Sequence, residues 1–125
     1  MSKPLTIDGY QQLSDEWIKS VGSFYFSPAT NVCLLAEEVG EVSSLISRAY
    51  GEQLFKEGEE PDCIEDAIAD ELADVLFVVS CIANDLEINL TEAIEKNMSK
   101  KSARDRNRYY PVHVGIEHLI EMNRR

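Results

Sequence analysis

A chain of 125 residues, 44% of them apolar, fits one domain with its own core. Its net charge of −11 argues against binding nucleic-acid polymers or anionic membrane surfaces. Three cysteines without a C-x-x-C pair fit a reducing cytoplasm, and neither the Met1–Pro4 start nor the longest apolar stretch, Val75 to Ala83, has the form of a signal or spanning segment.

Thr6 to Ser20 reads as a first helix with Leu13, Trp17, Ile18 and Val21 on its inner side, ended by Gly22. Ser27 before Pro28 has the form of an N-cap followed by proline at the first helical position. The second helix runs from there to about Tyr50 and stops at Gly51. Glu52 to Cys63, with Gly58, Pro61 and several acids, reads as a surface loop. Asp62 is the expected cap of a third helix that reaches Leu86 or Glu87. Asn89 to Thr91 is another start signal, with Thr91 as the expected cap of a fourth helix ending between Ser102 and Arg108, before Pro111. Gly115 to Arg125 reads as a short final helix in an extension, 113–125, that follows a domain spanning 1–112.

No segment alternates with a β period, so the expected class is all-α, a four-helix bundle. Leu76 and Phe77 lie outside the main inner stripe of the third helix; a dimer interface and cover by the first helix explain them equally well. Cys33 and Cys81 fall in helical patterns and read as small core or boundary residues.

Two acidic clusters interrupt the apolar stripes in the same register. Glu37-Glu38-x-x-Glu41 and Asp70-Glu71-x-x-Asp74 align if Glu38 and Glu71 are equivalent points. Leu34, Leu35, Val39, Val42 and Leu45 then match Ala67, Ile68, Leu72, Val75 and Val78, which also suggests an internal duplication. At about 100° per residue Glu38 and Glu71 lie in the middle of the apolar faces, with Glu41 and Asp74 about 60° to one side. Burying unpaired carboxylates costs several kcal/mol, so four of them converging call for a cation. Oxygen donors select Mg²⁺, Mn²⁺ or Ca²⁺ over zinc or copper. A ferritin-like di-iron site is excluded because His113 and His118, the only histidines, complete no Glu-x-x-His motif.

Six of the twelve Lys and Arg residues lie between Lys96 and Arg108. On a helical projection Leu90, Ala93 and Ile94 form a face that Asn97, Lys101, Arg104 and Arg108 continue, with Lys100 beside it. A basic stripe in a bundle with an acidic metal cluster suits a polyphosphate bridging the two. Cations at a helix C-terminus also complement the macrodipole, which accounts for Lys100 and Lys101 better than for the run to Arg108.

Leu35-Ala36-Glu37-Glu38-Val39-Gly40-Glu41-Val42, Asp70-Glu71-Leu72-Ala73-Asp74-Val75-Leu76 and the downstream Lys96-Asn97, Lys100-Lys101 and Arg104-Asp105-x-x-Arg108-Tyr109 resemble the signature of the MazG-like nucleoside triphosphate pyrophosphohydrolases, in the all-α NTP pyrophosphatase superfamily. The likeness spans roughly residues 10 to 110. It implies Mg²⁺-dependent hydrolysis of an NTP or dNTP between the α and β phosphates, with Mn²⁺ as a substitute metal, in nucleotide-pool control. It implies a dimer or dimer of dimers. By motif position the metal ligands are Glu38, Glu41, Glu71 and Asp74, and Glu37 helps orient or deprotonate water. Asn97, Lys101 and Arg104 become phosphate contacts, with Lys100 competing for the place of Lys101. The 29 residues between Glu41 and Glu71 are a long gap for the motif. Trp17, Tyr25 and Phe26 are the aromatic candidates for stacking on the base, each also explicable by core packing. A catalytically silent nucleotide- or metal-binding regulator, or an acidic interaction module without a ligand, are the alternatives.

Overall fold

The computed structural model describes residues 3–109. Four helices, α1 (Ile7–Trp17), α2 (Pro28–Tyr50), α3 (Ile64–Asp85) and α4 (Leu90–Asp105), account for the regular structure, with no strand among the described residues. The expected final helix over Gly115–Arg125, the boundary at 112 and the stop at Pro111 lie outside the described residues. The described residues fall into two compact units, one ending at Leu90 and the other beginning at Thr91.

The Thr6 side chain caps α1 by accepting from the Gly9 N–H at 3.1 Å. A five-residue π turn, Ile18–Gly22, extends α1, and Ser23 at φ 74° then reverses the chain. At Gly22 an added Cβ would lie 3.2 Å from the Trp17 ring, close enough that the indole would have to shift by a few tenths of an ångström. Ser27 caps α2 through the Thr30 N–H at 3.2 Å, with Pro28 at the first helical position, and α2 ends at Gly51, all as expected.

The expected cap at Asp62 does not form: Cys63 is the capping position and its side chain makes no capping bond. Nor is Thr91 a cap, since α4 already starts at Leu90. Gln11 serves the first residue of α4. Its Oε1 accepts from the Leu90 N–H and its Nε2 donates to the Ile88 carbonyl, both at 2.8 Å, so a side chain of α1 serves the backbone between α3 and α4. Asn84 completes the clasp by donating to the Gln11 carbonyl.

α3 is the central element of the first unit and packs against both α1 and α2. Its buried face comprises Val78, Ser80, Cys81 and Ala83. The first helix buries the expected face only in part, with Ile18 half-buried. Leu13, Trp17 and Val21 are half-exposed or more, whereas Ser14 is buried and accepts from the Ser80 hydroxyl at 3.0 Å. Two small residues let α1 and α3 approach closely there, and the hydroxyl pair, with Ser14 donating to the Tyr10 carbonyl, satisfies the polar groups this closeness buries. Phe77 meets Trp17 edge to face, with centroids 5.4 Å apart, so the first helix does cover it. Leu76 remains exposed. Cys81 is buried as expected, but Cys33 is exposed.

Candidate active site

Glu38 on α2 and Glu71 and Asp74 on α3 each offer a carboxylate oxygen, and these lie within 4.8 Å of one another. The placement follows from helix period: both glutamates sit among apolar neighbours that hold the two helices together, so packing those stripes brings the acids face to face. Leu34 and Asn31 share a cavity with Phe77, Val78 and Cys81, so α2 and α3 run antiparallel.

Glu38 and Glu71 are part-buried and Asp74 is exposed, giving a cluster open on one side. As ionised groups these acids offer no donor to one another, and the buried Oε2 of Glu71 has no hydrogen-bond partner. A proton shared with Glu41, then burial, then the charges of Glu41, Asp74 and Glu38 push the Glu71 carboxyl up to about 7. Burial, followed by the charges of Asp74, Glu41 and Glu37, raises Glu38. The fourth acid, Glu41, therefore stands beside Glu71, while Glu37 is exposed at the margin. An orphaned oxygen inside a set of hard anionic donors fits a divalent cation.

Asp74 also opens onto a cavity of about 380 Å³ bounded by Tyr10, Leu13, Ser14, Trp17 and Phe77. Tyr10 was not legible as a site residue; burial first, and the nearby Cys81 and Asp74, raise its phenol. A second cavity of about 260 Å³ brings together all three aromatic candidates, Trp17, Tyr25 and Phe26. Tyr25 is fixed by donating to Asp15 at 2.6 Å; burial and this bond push its hydroxyl up to about 12. Asn31, buried in the wall of this cavity, was missed too. Its signal was present: Asn31, Leu34 and Glu38 lie at i, i+3 and i+7, on one helix face.

The basic candidates all lie on α4, where Asn97, Lys100, Lys101 and Arg104 are exposed. Arg104 forks onto Asp105 through bonds of 2.8 and 2.6 Å, and Arg108 reaches the same carboxylate at 3.3 Å. Arg104 holds Asp105 below the usual carboxylate range, with Arg108 adding to the effect. Asp105 thus lies between two guanidiniums and occupies the Nε edge of Arg104.

Known proteins match this chain over the same region. The family model for the MazG nucleotide pyrophosphohydrolase domain matches residues 26–109. An uncharacterized protein, YpjD of Bacillus subtilis (strain 168), is 36% identical over 104 residues, spanning 83% of this chain and 90% of that protein. The crystal structure of the Bacillus-conserved MazG protein, a nucleotide pyrophosphohydrolase, superposes with a TM-score of 0.65 at 34% identity, covering 80% of this chain and 92% of that one. The crystal structure of YPJD from Bacillus subtilis gives 0.68 at 36% identity, covering 80% and 97%.

Proposed function

The chain belongs to the MazG nucleotide pyrophosphohydrolase family and is a hydrolase of nucleoside triphosphate pyrophosphate bonds, and we propose that it cleaves an NTP or dNTP to the monophosphate and pyrophosphate with Mg²⁺, in control of the nucleotide pool. The observation that carries the mechanism is the orphaned Glu71 oxygen within the Glu38–Glu71–Asp74 cluster. Glu38, Glu41, Glu71 and Asp74 are the residues that would hold the metal. When bound, Mg²⁺ supplies Lewis-acid polarisation of the phosphate and lowers the pKa of water, and Mn²⁺ serves as a substitute.

Glu37, exposed next to Glu38, is assigned to accept the proton of the attacking water. The water oxygen bonds to the α phosphorus, the bond to the bridging oxygen breaks, and pyrophosphate leaves with that electron pair. Asn97, Lys101 and Arg104 are assigned to the phosphates, with Lys100 as the alternative to Lys101. Arg104 exchanges Asp105 for a phosphate oxygen pair. Trp17, Tyr25 and Phe26 are assigned to the base.

A homodimer, or a dimer of dimers, is part of this reading. At 100° per residue Val32, Val39 and Ile46 of α2 and Leu72 and Leu76 of α3 fall on one side of the helix pair, away from α1. Each is between 43% and 59% exposed. A second copy seated there completes the core, and Leu76→Glu is expected to yield monomers by light scattering. No helix among the described residues is long and apolar enough to cross a membrane. A cytoplasmic setting suits the three free cysteines. The activity is tested with a panel of NTPs and dNTPs and Mg²⁺. Monophosphate plus pyrophosphate is expected; diphosphate plus orthophosphate refutes the assignment. A protein that binds nucleotide without turnover is the silent regulator.

A further inference from the structure

The cavity around Trp17, Tyr25 and Phe26 is lined largely by apolar and aromatic side chains, with Asn31 the one amide among them. Asn31 is 4% exposed and lines the cavity. One N–H donates to the Phe26 carbonyl at 3.2 Å, which settles the orientation of the amide, because only its NH₂ can donate. The same amide also has a carbonyl oxygen and a second N–H, an acceptor and a donor side by side. In an apolar pocket such a pair is a recognition element, since a guest that leaves it unpaired binds at a penalty.

The position relative to the acids is set by two antiparallel helices. Leu34 and Asn31 precede Glu38 by four and seven residues, and Phe77 and Cys81 follow Asp74 by three and seven. At 1.5 Å per residue the cavity begins about 6 Å beyond the carboxylates and Asn31 lies about 10 Å from them, along the same groove. The Trp17–Phe77 pair walls both this cavity and the one that reaches Asp74. A phosphate chain held at the acids and a flat heterocycle among the aromatic rings are thus spaced as the two ends of one nucleotide. The volume, about 260 Å³, is enough for a single base.

We infer that this cavity receives the nucleobase and that the Asn31 amide reads its hydrogen-bonding edge, making Asn31 the residue that sets base preference. The inference rests on the pyrophosphohydrolase reading for the phosphate end, but the cavity is testable separately. Trp17 is the only tryptophan and stands in the cavity wall, so its fluorescence reports a stacked base directly. The full-length protein is titrated with each deoxynucleoside monophosphate in chelator, correcting for absorption. Wild type, Asn31→Ala and Leu34→Phe are then assayed on four dNTPs with Mg²⁺, with inorganic tripolyphosphate as a baseless competitive inhibitor.

Saturable Trp17 quenching is expected in wild type and should be lost in Leu34→Phe, which fills the cavity without touching the Asn31–Phe26 bond. Leu34→Phe should raise KM at least about tenfold for every dNTP. Asn31→Ala should compress the kcat/KM ratio between best and worst base about tenfold, the worth of one hydrogen bond. The tripolyphosphate inhibition constant should stay within about twofold in both, since neither residue is assigned to the phosphates. Unchanged KM in a folded Leu34→Phe protein, or no quenching in wild type, overturns the cavity assignment. A folded Asn31→Ala protein that keeps its base preference overturns the role of Asn31. Intact quenching without dNTP turnover overturns the pyrophosphohydrolase reading instead.

Discussion

Removing a negative charge from the acidic cluster should stabilise the metal-free protein. The Glu71 carboxyl stands at about 7 in the fold, against an ordinary 4.5. A group whose pKa is raised by folding contributes stability that is fully present below its unfolded value and is lost as the pH climbs through the folded one, here from about 4.5 to about 7. At ~1.4 kcal/mol per unit the ceiling is ~3.5 kcal/mol. The cluster is open to solvent at Asp74, so screening reduces this to about 1–2 kcal/mol. Glu71→Gln has no charge to place there at any pH. In chelator at pH 8 its melting temperature, followed by circular dichroism, should exceed wild type by roughly 3–8 °C. The gap should shrink severalfold by pH 5, where the folded wild type holds the proton. Excess Mg²⁺ should reverse the order, because a ligand that binds only the folded state stabilises wild type and the Gln variant lacks a donor for it. A wild-type melting point indifferent to pH between 5 and 8 in chelator, or a Gln variant that melts earlier than wild type at pH 8, would refute the reasoning.

Glu38→Gln should lower kcat/KM for dNTP hydrolysis by ~100-fold or more while leaving the helical dichroism intact; turnover near wild type removes Glu38 from the metal set. Lys101→Ala should raise KM and weaken tripolyphosphate inhibition more than Lys100→Ala does; the opposite ranking shifts the active face of α4 by one residue. Ser27→Ala removes the acceptor for the Thr30 N–H and should destabilise the fold by about 1 kcal/mol in urea melts, with Ser27→Gly recovering most of it. No change in the Ser27→Ala midpoint means the cap is idle.

What could be read from the chain alone was whatever repeats along a helix or acts within one turn of it. Ser27-Pro28 and Gly51 bound α2 by local backbone chemistry, and they mark its ends without reference to the rest of the molecule. Glu38 and Glu71 stood out because a charge inside a 3.6-residue apolar stripe is anomalous at any tertiary arrangement, and their meeting follows once two such stripes pack. The choice of Ser14 over Leu13 as the buried residue of α1 could not be read this way. It depends on Ser80, sixty-six positions away, admitting a close approach that a larger pair forbids. The bond from the Leu90 N–H to Gln11 at the start of α4 likewise comes from seventy-nine positions away, on α1, beyond the reach of any local cap signal. Asn31 gained its meaning only when the π turn and the loop after it set Trp17, Tyr25 and Phe26 around it. Helix periodicity is a property of consecutive residues; the distance between two helices, and the cavities that distance leaves, belong to pairs of side chains that meet only in the folded chain.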